Sequence, residues 1–263
     1  MSAQIGLLVV GNEILDGLVL DTNSNWIINQ AKTLNLLVKE TMTVRDDVSD
    51  IAKALRRMVT DGCSMAITIG GLGPTFDDMT LKGVADAFGL LLELNQEALT
   101  IVSRQYKDLF DRGAVDTAEM TDSRRKMATL PEGSKPLDNR VGGAPGVLLN
   151  VEGAQVICLP GVPKELMWIF ENQVVPLLKQ KAGGAFAEKI IYLPLRDESL
   201  LAPIIDEVML DVPSVYVKSM VKPHGEAGIR LWISAMGRSQ TEVEERVNRV
   251  ANLLTQLSSE RLK

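Results

Sequence analysis

The chain of 263 residues is too long for one small domain and suits a medium domain with an appended module. Its 28 basic against 34 acidic residues give a formal net charge of -6, which excludes a general nucleic-acid binder built on a basic face. Hydrophobic residues make up 46% but aromatics only 4%, so aliphatic side chains must build the core, and no apolar run approaches the ~18 residues that span a bilayer.

The opening "MSAQIGLLVVGNEIL" has no basic region ahead of its apolar run, so no secretion signal is expected. Cys63 and Cys158 lie in apolar, strand-like runs outside any C-x-x-C pair, which predicts buried reduced thiols in a cytoplasmic protein. The single histidine, His224, excludes a histidine-rich zinc site.

Taken in order, Ile5 to Val10 reads as a strand that ends at Gly11-Asn12-Glu13. Asp21-Thr22-Asn23 offers cap residues for a helix burying Ile27, Ala31 and Leu34. Leu36 to Val44 is a second strand. Val48, Ile51, Ala52, Leu55 and Val59 then follow helical spacing. Met65 to Ile69 is a third strand, and Leu81, Val84, Ala85 and Phe88 stripe a third helix. Such alternation predicts a largely parallel sheet covered on both faces, with ligands beyond the carboxyl ends of its strands.

Asn95 to Lys126 reads as helix broken near Arg112-Gly113, and short strands are expected around the Gly- and Pro-rich stretch from Pro131 to Gly146. Val156 to Leu159 is a further strand, ending in Pro160-Gly161-Val162-Pro163 before a helix that carries Leu166, Ile169, Phe170, Val174 and Leu177. Ala182-Gly183-Gly184-Ala185 reads as a linker, which sets domains at 1–182 and 187–263. The second of these has the order β-α-β-β-α. Met220 to Glu226 reads as a strand connection, which makes His224 a surface residue.

The chemistry concentrates in "ITIGGLGPTFDDMT", residues 67–80. A strand feeding Gly70, Gly71 and Gly73 into a helix start offers bare backbone amides to an anion. Pro74 suits the first helical turn. Asp77 and Asp78 there would repel an anion, unless a divalent cation such as Mg²⁺ sits between a carboxylate and phosphate oxygens. Thr75-x-x-Asp78 also fits a plain capping box. Asp47 is either the cap of the helix from Val48 or a further ligand, and Glu13 either enters the same crevice or is a loop acid. Gly161, Lys164 and Glu165 repeat the strand-turn-helix logic, and Lys126 or Lys164 would assist with charge.

As a set, Gly11-Asn12-Glu13-Ile14-Leu15, Asp21-Thr22-Asn23, Asp46-Asp47, Gly70 to Thr75 with Asp77-Asp78 and Thr80, Asn139 with Gly142 and Ala144-Pro145-Gly146, and Leu159 to Pro163 resemble the molybdopterin-binding-type domain of the CinA family, related to MoaB and Mog proteins. The match covers roughly residues 4 to 180. It implies a three-layer α/β/α fold with its pocket at the glycine loop, followed by the small α+β module of CinA-type proteins. The C-terminal amidohydrolase domain of full-length CinA, which deamidates nicotinamide mononucleotide, is not expected.

By the same resemblance, CinA-type relatives suggest metal-dependent (Mg²⁺ or Co²⁺) cleavage of a nucleotide pyrophosphate such as ADP-ribose or FAD. Mog-type relatives suggest molybdopterin binding or adenylylation. Asp78 and Asp77 would be catalytic. Asp78, Asp47 and Glu13 would hold the metal, and Gly70, Gly71, Gly73, Pro74, Thr75, Lys126, Asn139, Gly161 and Lys164 the substrate. A homo-oligomer is implied, with a small nucleotide or pterin ligand and neither nucleic acid nor membrane as partner. "GGLGPT" in place of a G-G-T-G loop, and the apolar Val162, favour the CinA branch.

Overall fold

The structure, a computed structural model, describes residues 4–181, 183–195, 197–220 and 228–261. The connection at 221–227, with His224, lies outside the described residues, as does Ala182 of the expected linker. The chain folds as two compact units, Met1–Lys32 with Leu36–Ala182, and Thr33–Asn35 with Gly183–Lys263.

In the larger unit β1 (Gln4–Val10) leads through the short α1 (Asn12–Leu15) to α2 (Asn23–Thr33). β2 (Leu37–Val44), α3 (Val48–Thr60), β3 (Met65–Ile69) and α4 (Thr80–Phe88) continue the alternation. β4 (Leu92–Leu94), α5 (Gln96–Asp111), α6 (Asp122–Lys126) and β5 (Thr129–Pro131) form an excursion in which β4 and β5 pair. Then β6 (Lys135–Leu137), β7 (Gly146–Val151), β8 (Ala154–Leu159), α7 (Pro163–Ile169) and α8 (Val175–Lys181) close the unit. The main sheet has the order β2-β1-β3-β8-β7-β6. Its first four strands are parallel, and β7 and β6 join antiparallel at one edge.

The central strands are mostly apolar, Thr68 being a buried exception, because helices cover both faces. Every residue of β3 is buried. Leu8, Val10, Ala66, Val156 and Cys158 join one core cluster with residues of α3, α4 and α5. Their alternates, including Leu7, Val9, Ile67 and Ile157, are buried too. Helix α3 starts where Asp47 turns its carboxylate onto the Asp50 N–H at 3.0 Å, and it then buries Ile51, Ala52 and Leu55. Each fully buried Ile or Leu of that face contributes roughly 1.5–3 kcal/mol.

Two local expectations are corrected. After α7 the helix widens into a π-turn over Phe170–Val174, so the buried stripe runs on to Leu178 rather than Leu177. Pro176, which has no N–H to donate, follows at once, and the wider turn absorbs that gap in the ladder. The second correction concerns α4. It begins only at Thr80, so Pro74, Asp77 and Asp78 lie in a turn ahead of it and not in its first turn.

The smaller unit contains β9 (Ala185–Leu193), α9 (Ala202–Asp211), β10 (Val215–Met220), β11 (Ile229–Gly237) and α10 (Gln240–Arg261). The strands pair antiparallel in the order β10-β11-β9. Ile229, Leu231, Ile233 and Ala235 of β11 face a core shared with α9 and α10, to which α10 gives Val243, Val247, Val250, Ala251 and Leu254. Among the described residues no helix is long and apolar enough to cross a membrane.

Candidate binding cleft at the glycine loop

β1, β3 and β8 all end on one side of the larger unit, and the loops that leave them enclose a cleft of about 400 Å³. Three glycines shape its floor, each for a different reason. Gly70 has φ +98°, and a Cβ there would lie 2.4 Å from the Val10 carbonyl oxygen. Gly71 has φ +67°, and its Cβ would lie 2.3 Å from Thr80 Oγ1. Gly73 permits the chain to close on Asp78, whose Oδ2 would be 2.7 Å from an added Cβ. The buried Thr80 fixes the far end of the loop. Its hydroxyl donates to the Gly70 carbonyl at 2.8 Å and its N–H to the Gly71 carbonyl at 3.2 Å.

The capping-box pattern is real, but it closes a turn. Asp78 Oδ2 accepts from the Thr75 N–H at 2.8 Å and from Thr75 Oγ1 at 2.6 Å, and Asp77 Oδ1 lies 2.6 Å from the same hydroxyl. The hydroxyl beside it holds the Asp77 carboxyl below the usual carboxylate range. Because the Thr75 amide is spent on Asp78 and Pro74 has none, the amides left for a ligand are those of Gly71, Leu72 and Gly73.

Glu13, Asp46, Asp77 and Asp78 all line the cleft. Asp46 accepts from the Asn12 N–H at 2.8 Å. Burial pushes its carboxyl up, against that hydrogen bond, and the negative charges of Glu13, Asp77 and Asp78 push the same way. Asp47 does not reach the cleft, since its side chain caps α3. A capping aspartate points back at its own helix. The residue one earlier, at the strand end, is therefore the one free to face the crevice, a signal present in the sequence and missed there.

Another wall is built around the fully buried Asn139. Its Oδ1 accepts from the N–H groups of Val141 (2.9 Å) and Gly142 (3.1 Å), while Nδ2 donates to the Ala144 carbonyl and to Glu165 Oε2, both at 2.8 Å. Asn139 thus holds the wall without lining the cleft. Glu165 lines it, seated so closely on Gly142 that a Cβ there would fall 2.0 Å from its carboxyl carbon. Burial raises the Glu165 carboxyl above its ordinary range, only partly offset by Asn139. Tyr106, absent from the expected set, also lines the cleft and lies 3.8 Å beneath the Arg124 guanidinium.

Gly70, Gly71, Gly73, Pro74, Thr75, Glu13 and Gly161 therefore share one cleft with Asp77 and Asp78, whereas Asp47, Lys126, Asn139 and Lys164 do not line it. Lys126 donates to the Gly73 carbonyl at 3.5 Å and to the Thr75 carbonyl, so it braces the loop through its backbone. Lys164 is exposed at the start of α7. Among the described residues no three His, Cys, Asp or Glu side chains are grouped closely enough to hold a metal by themselves. Cys63 and Cys158 are buried and unpaired, and burial pushes the Cys158 thiol up to about 12.

Residues 6–180 match the model of a family described as a probable molybdopterin binding domain. The protein PH0439 of Pyrococcus horikoshii is 37% identical over 77% of this chain and 78% of its own length. The protein TV0584 of Thermoplasma volcanium is 35% identical over 93% of each chain. A crystal structure of the protein CinA from Thermoplasma acidophilum, described as of unknown function, is 34% identical and superposes with a TM-score of 0.59, covering 66% of this chain and 98% of that one. The glycine loop, the strand-end carboxylates and the parallel sheet that carries them are accordingly those of a member of the molybdopterin-binding domain family, and within it the chain is CinA-like.

Proposed function

We propose that the cleft binds a phosphorylated pterin of the molybdopterin type, and that Asp78, Asp77 and Asp46 would hold a divalent cation that offsets the ligand's phosphate charge. The observation that carries this reading is the pairing of opposites on one floor. Bare amides of Gly71–Gly73 suit an anion, and the surrounding carboxylates suit a cation. An all-oxygen donor set fits a hard cation such as Mg²⁺. The cleft's few carboxylates suit it as well, because Mg²⁺ is commonly held by one or two carboxylates plus substrate phosphates.

When bound, such a cation supplies charge neutralisation and acidifies a coordinated water. The chain's own residues do the rest. The amides of Gly71–Gly73 take phosphoryl oxygens, Tyr106 and Val162 flank the organic part of the ligand, and Asn139 keeps Glu165 facing it.

A second reading, hydrolysis of a nucleotide pyrophosphate such as ADP-ribose or FAD, is favoured by Glu165. A carboxyl raised above its ordinary range and facing the cleft would be suited to passing a proton. One experiment separates the two. Purified protein with Mg²⁺, and separately with Co²⁺, is given molybdopterin or each of ADP-ribose, FAD and NAD. Stoichiometric retention of molybdopterin without product, lost in Asp78→Asn, is the expected result. Release of AMP that stops with EDTA and in Asp78→Asn would replace it with the hydrolase reading. Folded protein that does neither would sink both.

A further inference from the structure

The glycine loop also walls a second cavity, of about 260 Å³, which shares Gly71, Gly73 and Asp78 with the cleft but has the opposite chemistry. Lys82 reaches it from the first turn of α4, and Arg125 and Lys126 from the last turn of α6. Leu81 and Leu92 supply apolar wall. Asp78, whose Oδ2 accepts from Thr75, and Asp122 are the two carboxylates that line it, against three cations.

Lys126 is fixed by the loop carbonyls and partly buried. Among the described residues no hydrogen bond or ion pair to a protein acceptor engages Lys82 or the Arg125 guanidinium. No side chain caps the start of α4, beside which Lys82 lies. Unpaired cations collected in a concave, partly apolar pocket imply an anion that the chain itself does not provide.

We propose that this cavity is an anion subsite for a phosphate or phosphate ester, held by Lys82, Arg125 and Lys126 on the other side of the loop from the carboxylate cleft. The cavity is smaller than the usual 300–1,000 Å³ or so of a pocket for a drug-sized ligand, and suits a small polyatomic anion or the end of a longer molecule. Only the identity of that molecule rests on the function proposed above. A ligand with two anionic ends would place one in the carboxylate cleft and the other here.

The test is calorimetric titration of pyrophosphate, with no divalent metal present, into the parent protein and into a Lys82→Ala/Arg125→Ala double variant. Both residues are exposed, so the variant is expected to fold, and an unchanged urea midpoint checks this. Mn²⁺ binding is followed separately by electron paramagnetic resonance. The expected result is binding by the parent that weakens with salt, and on the order of tenfold or greater weakening in the double variant with Mn²⁺ affinity unchanged. Equal pyrophosphate affinity in the two proteins, or no binding by the parent, would overturn the subsite. A parent that takes pyrophosphate through Lys82 and Arg125 but takes no Mn²⁺ would support the subsite and remove the cleft reading instead.

Discussion

The two sheets of this chain are covered differently, and the difference shows in where each carries its polar groups. In the larger unit both faces of the central strands are packed, so β3 is buried from Met65 to Ile69, and the charged groups nearest the cleft gather where the strands end. Gly70, Asp46 and Glu13 lie at those ends, and the cleft forms there. In the smaller unit helices cover one face only. Leu231 is fully buried, while Tyr192 and Tyr216 stand 64% and 55% exposed, Tyr216 meets Trp232 edge-on at 5.8 Å, and Trp232 donates to Glu188 at 2.7 Å. A doubly covered sheet confines its chemistry to an edge, whereas a singly covered one spreads its polar and aromatic groups along a face.

The largest effects should come from violating that layering. Leu231→Ala, which empties a buried site, is expected to cost about 3 kcal/mol in urea unfolding, against less than about 1 kcal/mol for Tyr192→Ser on the open face. Equal costs would mean that the open face is packed in solution. Next, Gly70→Ala forces a left-handed residue against the Val10 carbonyl and should cost roughly 3 kcal/mol, together with ligand binding. Retained stability would show that the strand end relaxes freely. Asn139→Ala strands two amides and a partly buried carboxyl, for a loss of about 2 kcal/mol. A loss of that size with Asn139→Ser as well would confirm that both ends of the amide matter.

A subtler prediction concerns pH. The Glu165 carboxyl is raised by burial, so the folded state holds its proton more tightly than the unfolded chain. Its contribution is therefore fully present below the unfolded carboxylate range and is lost as pH rises through the raised folded value. Glu165→Gln should flatten this part of the fall in stability as pH rises from the ordinary carboxylate range upward, measured by urea midpoints. An unchanged slope would place the charge elsewhere. The smallest effect is expected at Asp47→Ala, about 1 kcal/mol from the lost helix cap with metal affinity intact, whereas Asp46→Asn should lower Mn²⁺ affinity with little change in stability. The reverse pattern would exchange the roles of these neighbours.

Much of the fold could be read along the chain, because burial imposes periods that the residues display. β3 runs over the span predicted from its apolar run, and α10 buries the five residues picked out by helical spacing. The glycine loop was equally legible, since Gly70 and Gly71 combine a left-handed backbone with no room for a Cβ. The position of the loop's carboxylates relative to α4 was not. Thr75-x-x-Asp78 closes a turn or opens a helix with the same hydrogen bonds, and the tie from Thr80 to Gly70 decided between them. Leu178 replaced Leu177 because a π-turn adds to the helical period without leaving a mark in composition.

By itself, then, the sequence determined the α/β order, the glycine loop and the family, all of which depend on local backbone limits and on period. Tertiary structure decided which of two adjacent aspartates faces the cleft, and that Lys126 braces the loop. It also decided that Asn139 holds a wall and that Glu165 and Tyr106 join the lining. Those assignments depend on where side chains from distant segments converge, and only the packed chain fixes that.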